Sequence, residues 1–163
     1  MMLSNIDIKE ILKSGDLKIT PFNSRNLGPN TIDLTSSNEW WLYKKNIKNI
    51  NIKKSWKDYM VKQKSEKIIL QPHQKCLIST KEKISLPPYL TGIISGRNKY
   101  LRLGLNISTT SFVQSSSSEK IIFQIDNTNS IPVTLYSGEK LIQIAFVLLT
   151  SKTTKPYIKY KKL

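Results

Sequence analysis

The residues best suited to chemistry lie in the stretch SGRNKYLRLGL, residues 95–105, where Arg97, Lys99 and Arg102 stand between two glycines. A guanidinium group presents planar, paired N–H donors that match the oxygens of a phosphate, and an ammonium group adds a compact positive charge. The cluster therefore predicts a site for an anionic group, either a phosphate or an oxygen that becomes negative during a reaction.

A short helix is predicted at the N-terminus. Ser4 is a good N-cap with Asp7 three residues later, apolar residues follow at helical spacing, and Gly15 supplies a stop signal.

Short apolar segments make up most of the remaining chain. They are LKI, PNTIDL, NEWWLYK, KIIL, KCLIST, EKISLPPYLTGIIS, LGLNIST, KIIFQI, IPVTL and LIQIAFVLL, and Asn, Gly, Pro or Ser separate them. Strands at intervals of about 8–12 residues, with almost no helical pattern between them, predict an all-β sandwich, jelly roll or barrel. The length of 163 residues fits a single domain over residues 1–163.

The net charge of +15 is unevenly distributed. Residues 44–67 hold nine basic and two acidic residues, and residues 152–163 hold five basic and no acidic residues. We interpret the first segment as a lysine-rich, solvated insertion, partly helical or mobile, and the second as a short basic C-terminal tail. Such clusters favour an anionic partner, including nucleic acid or a larger assembly docked on the insertion. The alternative is a lysine-rich compositional bias on exposed segments.

Several classes of protein have no support in the sequence. The longest clean apolar run, IAFVLL, is far shorter than the roughly 20 residues that span a bilayer, and MMLSNIDIKE lacks the apolar core of a signal peptide. A single cysteine, Cys76, excludes an internal disulfide. We therefore expect a cytoplasmic protein with no membrane partner.

The order of these segments resembles the dCTP deaminase family. MLSNIDIKEILKSGDLKITPF followed by GPNTIDL resembles the family's N-terminal helix, hairpin and S-x-D-L strand. ILQPHQKCLISTKEKISLPPYLTGIISGRNKYLRLGL resembles its central region with the phosphate-contacting motif G-R-S-S-x-x-R-x-G, and NSIPVTLYSGEKLIQIAF is similar to its closing strands. The resemblance runs in order from about Met2 to Tyr160 and is weakest in the lysine-rich insertion.

This resemblance implies a distorted β-barrel or jelly roll shared with trimeric dUTPases, assembled as a homotrimer with nucleotide sites between subunits. Catalysis in the family uses no zinc. The sequence agrees, because it lacks the H-x-E and P-C-x-x-C ligand sets of zinc deaminases and has one histidine and one cysteine. We expect His73 on an exposed turn and Cys76 in a buried strand, no cofactor held by protein ligands, and Mg²⁺ only as the partner of a nucleoside triphosphate.

The resemblance also implies roles for individual residues, and two of the three catalytic positions are substituted. The glutamate that activates water and protonates the departing ammonia in the family corresponds to Gln124, whose amide can orient a water molecule but cannot take its proton. The serine that positions the water corresponds to Asn98, and the second serine, a phosphate ligand, to Lys99. Arg97 and Arg102 remain as phosphate or transition-state ligands; the alternative is that they contact carboxylates across a trimer interface.

The neighbouring turn has also lost its carboxylate. Where the family shows I-D-P-G-x-x-G, residues 112–120 read FVQSSSSEK. Glu119 and Asp126 are the nearest acidic residues. Strand alternation places Asp126 on the same face as Gln124, one residue pair further along. The sequence favours neither as a replacement.

The C-terminal segment KPYIKY resembles the start of the lid that closes over the nucleotide in the family. Lys155, Tyr157, Lys159 and Tyr160 are the residues of this lid remnant, and only three residues follow them. We therefore expect no stable closed lid.

Three hypotheses follow from the sequence. The first is a catalytically inactive or impaired member of the dCTP deaminase and dUTPase superfamily that acts as a trimeric binding or scaffolding protein for a deoxynucleoside triphosphate or another polyanion. The second is an active, zinc-independent dCTP deaminase that converts dCTP to dUTP and ammonia. The third is a structural subunit whose basic insertion docks on a larger assembly.

Overall fold

The computed structural model describes residues 1–157, and its first element is the helix α1, Asn5–Ser14. The backbone N–H of Asp7 donates to the Ser4 hydroxyl, and the Asp7 carboxylate accepts the Ser4 backbone N–H at 2.8 Å. These two bonds form a capping box, and Gly15 ends the helix with a left-handed φ of 81°. The predicted opening helix is confirmed. Among the residues described, no helix is long and apolar enough to cross a bilayer.

The rest of the described chain is mainly β-structure. A second short helix, α2, spans Asn98–Leu101. The strands are β1 Lys18–Thr20, β2 Thr31–Tyr43, β3 Met60–Lys64, β4 Lys67–Leu70, β5 Lys75–Ser85, β6 Leu90–Gly96, β7 Leu105–Ser108, β8 Phe112–Val113, β9 Ser118–Asn127, β10 Val133–Tyr136 and β11 Lys140–Leu148.

One large antiparallel sheet contains nine of these strands. Its main path runs β7-β9-β5-β2-β11-β6-β8, with β1 added on β5 and β3 added on β2, while β10 and β4 form a separate pair. The long strands β2 and β5 each pair with three others, because different parts of their length face different neighbours. The sheet curls into a distorted half-barrel, which confirms the predicted all-β fold of the jelly-roll or barrel type.

Strand alternation separates the core from the functional face. In β9, Ile121, Phe123 and Ile125 are buried, whereas Gln124 and Asp126 point to the opposite face and are half-buried. This two-residue period is the ordinary geometry of a strand with one side in the core. The core itself joins residues of the large sheet, the β4 and β10 pair, and α1.

The boundaries of two long strands differ from the predicted segments. KCLIST continues into the first residues of the predicted segment EKISLPPYLTGIIS as β5, and the later part of that segment forms β6. In β5, polar residues are buried at an irregularity between Ser79 and Lys83. The Glu82 carboxylate accepts the backbone N–H and the hydroxyl of Thr35 at 2.9 and 2.6 Å. The Thr80 hydroxyl accepts the backbone N–H of Ile121 at 3.0 Å. The polar residues that suggested a break between two strands thus form hydrogen bonds inside the sheet. PNTIDL and NEWWLYK likewise join in β2.

The lysine-rich insertion contains a strand that the sequence did not predict. β3 pairs with β2, with Lys62 opposite Trp41, and only residues Trp56–Tyr59 form a helical turn, of the 3₁₀ type. The expected helical content is therefore limited to this turn. The segment folds this way because β11 pairs only with residues 31–35 of β2, so the later part of β2 has a backbone edge, opposite β5, that β3 can pair with.

The buried Asn127 joins the end of β9 to the small sheet. Its side-chain amide donates to the backbone carbonyl oxygens of Leu70, Gln71 and Ile131 at 2.9–3.1 Å. Its side-chain oxygen accepts the backbone N–H of Asn129 at 3.0 Å. This side chain therefore fixes the end of the strand that carries the half-buried amide and carboxylate.

We predict that Asn127→Ala lowers the free energy of unfolding by about 2 kcal/mol or more, because it leaves buried backbone groups without their partners. Urea denaturation followed by circular dichroism measures the change. Asn49→Ala, which removes an exposed amide from the insertion, is the matched control and should be nearly neutral. Equal stability of the two variants would contradict the role given to Asn127.

Candidate functional site

The arginine-containing stretch forms a tight connection between β6 and β7. The chain leaves β6 at Gly96, turns through α2, and enters β7 after Gly104, which has a left-handed φ of 69°. A Cβ atom on Gly104 would collide with the side chain of Asn129, so both the conformation and the space require glycine there. This geometry holds the three cations on one short turn beside the sheet.

Arg97 forms an ion pair with a carboxylate of its own chain. One guanidinium nitrogen, Nη1, lies 3.1 Å from Oδ2 of Asp33 in β2, and the ammonium of Lys140 lies 3.8 Å from the same oxygen. The sequence left open whether Arg97 binds phosphate or contacts a carboxylate of another subunit. The carboxylate contact exists, but it is within the chain. Arg97 therefore stabilises the turn, and a phosphate would share it with Asp33.

Lys99 and its neighbour Tyr100 pack around Glu139. The Tyr100 hydroxyl donates to the Glu139 carboxylate at 2.7 Å, and the Lys99 ammonium lies 4.0 Å from it and 5.2 Å from the centre of the Tyr100 ring. Burial, and then the hydrogen bond to Glu139, raise the pKa of Tyr100 above its usual range. Tyr100 is thus a neutral anchor that positions α2, and the exposed Lys99 remains accessible to solvent.

Asn98 and Arg102 are exposed on α2 and at its C-terminal end. No carboxylate in residues 1–157 forms an ion pair with Arg102. Asn98 also lines a cleft of about 150 Å³ together with Gly96, Arg97 and Asn106, among others, whereas Arg102 is not one of its lining residues. Arg102 is therefore an exposed cation outside the cleft, and Arg97 is the cation in its wall.

Asn106 joins this cleft to β9, and sequence reasoning did not identify it. It lies opposite Asp126 in the pairing of β7 with β9, and its amide donates to Oδ2 of Asp126 at 3.2 Å. The Gln124 amide donates to the other oxygen, Oδ1, at 2.8 Å. In the sequence, the alternation of apolar and polar residues in LGLNIST indicated only that Asn106 belongs to a strand. It could not show which other strand pairs with it.

The structure thus places a carboxylate beside Gln124, the residue at which the family resemblance implies a substitution. The Gln124 side chain bends toward Asp126, so the separation of one residue pair along the strand does not keep the two groups apart. The amide uses one of its two N–H donors for Asp126, and its side-chain oxygen can accept a hydrogen bond from a water molecule. Asp126 keeps acceptor capacity beyond its two amide donors, and a carboxylate can take up and return a proton.

A second cleft lies along the first residues of β9. Its volume is about 310 Å³, and Phe112, Gln114, Glu119, Ile122 and Tyr157 are among the residues that line it. Apolar side chains from two strands and polar groups from the turn therefore surround one opening. Glu119 belongs to this cleft rather than to the cleft beside the arginine turn, and it makes contacts within the chain.

The structure describes only part of the segment that resembles the start of a lid. Tyr157 lines the 310 Å³ cleft and, with Lys155, an adjoining cleft of about 410 Å³. Lys159 and Tyr160 lie outside the described residues. The part of the segment that the structure describes therefore reaches the clefts beside β8 and β9.

Neither His73 nor Cys76 belongs to the site. His73 is exposed on the turn before β5, and Cys76 is buried in β5, as the sequence predicted. Burial, with a smaller effect of the Asp126 charge, raises the pKa of the Cys76 thiol to about 12. In residues 1–157 no group of three His, Cys, Asp or Glu side chains is close enough to hold a metal ion.

The fold is shared with solved deoxynucleotide enzymes. The structure of 2′-deoxycytidine 5′-triphosphate deaminase from Agrobacterium tumefaciens matches 89% of this chain with a TM-score of 0.72 and 13% identity, and this chain spans about half, 47%, of that one. The dUTPase from phage phi11 of S. aureus matches 85% of this chain and 94% of its own, with a TM-score of 0.53 and 15% identity. The chain therefore has the fold of dCTP deaminases and dUTPases.

Sequence comparison defines the family. The dCTP deaminase-like family model matches residues 2–149. A dCTP deaminase, dUMP-forming, from Aquifex aeolicus (strain VF5) is 33% identical over 162 residues, which cover 99% of this chain and 89% of the relative. Another from Sulfurihydrogenibium sp. (strain YO3AOP1) is 31% identical over 160 residues, covering 96% and 89%. The chain belongs to the dCTP deaminase-like family.

We predict that the Cys76 thiol does not react with a disulfide reagent such as Ellman's reagent at pH 8 in the native protein, because it is buried and stays protonated well above that pH. The absorbance of the released thiolate should rise to one equivalent only after addition of guanidinium chloride. Rapid stoichiometric reaction of the native protein would contradict this placement.

Proposed function

We propose that this protein binds dCTP and deaminates its cytosine ring. Support comes from curated relatives named dCTP deaminase, dUMP-forming, which align with 96–99% of the chain. Of the three hypotheses raised by the sequence, the relatives favour the active deaminase. The chemistry then has to use the groups of this chain, since a glutamine stands at the position of the family's glutamate.

The observation that carries the proposal is the contact between Gln124 and Asp126. Asp126 accepts one amide donor on each oxygen, from Gln124 at 2.8 Å and from Asn106 at 3.2 Å. Asn106 also lines the cleft beside Arg97 and Asn98. The carboxylate is therefore held in place at the junction of the arginine turn and β9, where the acid and base of the reaction are needed.

In the proposed reaction, Asp126 serves as the general base and general acid. It takes a proton from a water molecule oriented by the side-chain oxygen of Gln124, and the water oxygen bonds to C4 of cytosine. One water proton goes to N3 of the ring and the other to the 4-amino group. The bond between C4 and the amino nitrogen then breaks, which releases ammonia and leaves dUTP. The dUMP in the names of the relatives would require a further hydrolysis that releases pyrophosphate.

The remaining groups would bind the substrate. Arg102 and Lys99 are exposed on the turn and suit the triphosphate, whose Mg²⁺ would be bound by the phosphate oxygens. The 310 Å³ cleft between β8 and β9 offers Phe112 and Ile122 as apolar contacts for a nucleoside.

A second candidate is a nucleotide-binding protein without catalysis. The specific observation that favours it is Gln124 itself, since an amide cannot transfer a proton at the position that the family uses for this purpose. In this second candidate function, the protein binds the same ligand, dCTP, through the same cationic turn. This function differs from the first in one property, namely that bound dCTP is not converted.

We also propose that the protein assembles as a homotrimer. Leu101, Leu103 and Phe112 are each more than half exposed and lie around the arginine turn and the β8 strand. Large apolar side chains grouped near a candidate site indicate a surface that another subunit covers.

We predict that light scattering gives about three times the monomer mass at micromolar concentration. Leu103→Glu should lower the mass toward that of a monomer, because it places a charge on this surface. Ile52→Glu, at a 94% exposed position of the insertion, is the matched control and should leave the trimer intact. A monomeric native protein would contradict the assembly.

For catalysis, we predict that Asp126→Asn lowers kcat for ammonia release from dCTP by about 10²- to 10⁴-fold, with a much smaller effect on KM, because it removes the proton-transferring group but keeps its shape. A coupled ammonia assay with magnesium measures the rate. Asp58→Asn, a carboxylate-to-amide change on the exposed insertion, is the control and should retain activity.

Three further outcomes separate the candidates. Native protein that binds dCTP in calorimetry but releases no ammonia supports the non-catalytic candidate. Turnover that survives Asp126→Asn assigns the proton transfer to another group. In an active protein, Gln124→Glu should shift the acid limb of the pH profile to higher pH, because a second carboxylate beside Asp126 disfavours ionisation of the pair.

A further inference from the structure

Aromatic rings and lysines share one surface formed by β2, β3 and the lysine-rich insertion, residues 44–67. We name it the insertion face. Trp41 and Trp56 meet edge to face, with ring centroids 5.1 Å apart and planes at 75°. The ammonium of Lys62 lies 5.4 Å from the centroid of Trp41, and that of Lys57 lies 5.7 Å from the centroid of Trp56. The rings are therefore held in place and bordered by positive charge.

Part of this aromatic surface is open to solvent. Trp56 is 38% exposed and Tyr43 is 40% exposed, and Ile50 and Ile52 of the insertion are also exposed. The buried Trp40 contrasts with them, since it lies on the core side of β2 and its indole N–H donates to the carbonyl oxygen of Ser65 at 2.8 Å. The exposed rings are therefore not needed to complete the core.

The charge of the insertion is largely unneutralised. Glu39 is within 2.8 Å of the Lys62 ammonium and 3.6 Å of the Lys64 ammonium. No carboxylate in residues 1–157 forms an ion pair with the other seven lysines of the insertion, which are Lys44, Lys45, Lys48, Lys53, Lys54, Lys57 and Lys67. Such a surface attracts a chain of negative charges rather than a single ion.

A cleft crosses this surface. Its volume is about 720 Å³, and it lies between the insertion loop and the sheet, where Tyr43, Lys44, Lys48 and Lys75 contribute to its walls. Within the described part of the chain, no acidic residue lines it. The Lys44 ammonium is held by the backbone carbonyl oxygen of Asp58 at 2.6 Å, which fixes one positive charge at the edge. The cleft thus combines an aromatic wall with three ammonium groups.

We propose that the insertion face binds single-stranded nucleic acid. Lysines along the insertion would contact successive phosphates, and the faces of Tyr43 and Trp56 would stack on bases. Single strands fit better than a duplex, because stacking on a side chain requires a base that is not enclosed by base pairs. An acidic protein would satisfy the lysines but would leave the exposed rings without a matching group.

Fluorescence anisotropy with labelled oligodeoxythymidine and oligouridine of about 20 nucleotides tests the proposal directly. We expect binding at roughly 50 mM salt, with log affinity falling against log salt by about 0.7 for each phosphate contacted. A duplex of the same length and vesicles containing phosphatidylserine should bind more weakly. Absence of binding to the single strands would overturn the proposal, as would equal or tighter binding to the duplex or the vesicles.

Two matched triple variants test whether the lysines of the insertion are the ones that contact phosphates. Lys48→Ala, Lys53→Ala and Lys54→Ala together should reduce the salt slope by about 0.7 for each lysine that contacts a phosphate. The control triple, Lys9→Ala, Lys13→Ala and Lys18→Ala, removes the same charge from α1 and β1 and should leave the slope unchanged. Equal loss in both triples would overturn the assignment of the face, since it would show a response to net charge alone.

Substitutions of one ring test the stacking. Trp56→Leu should weaken binding about 5- to 150-fold, while Trp56→Phe should keep most of the affinity because it retains an aromatic face. Circular dichroism checks that both variants are folded. Identical affinities for the Leu and Phe variants would overturn the stacking contact. Ammonia release from dCTP is a separate readout, so failure of nucleic-acid binding is distinguishable from failure of the proposed deamination.

Discussion

The pairing of β9 between β5 and β7 is the constraint on which the candidate site depends. Alternate residues of β9 enter the core, so Gln124 and Asp126 are carried to the opposite face together. β7 contributes Asn106 directly opposite Asp126. A slip of one residue would bury both polar side chains and expose Phe123, which the core does not allow. The register of the sheet therefore determines the local chemistry.

The amide at position 124 and the carboxylate at position 126 form a physically consistent pair. Their contact is 2.8 Å, with Gln124 as donor and Asp126 as acceptor. A glutamate in place of Gln124 would bring two carboxylates to the same point, where both cannot ionise without cost. The Asp126 carboxylate beside the Gln124 amide is thus compatible with the proposed single proton-transferring group on this face.

The insertion face and the candidate site lie on the same side of the sheet. Directly opposite pairs connect Lys62 of β3 to Trp41 of β2, Trp41 to Leu77 of β5, and Leu77 to Gln124 of β9. Residues opposite one another in an antiparallel sheet point to the same face. A long ligand on the insertion face would therefore extend toward β9, and the two proposed functions would be neighbours on one surface.

Local signals were enough to predict the opening helix, most of the strands, the burial of the single cysteine and the cationic turn, because each follows from capping, two-residue alternation or residue type. Family resemblance implied a substitution at Gln124, which stays a prediction. The folded chain was needed to show that Asp33 holds Arg97, that Asn106 and Gln124 both donate to Asp126, and that β3 pairs with β2. These contacts join residues from strands whose order in the sheet is set by packing of the whole core, and a linear pattern of polar and apolar residues does not specify which strands become neighbours.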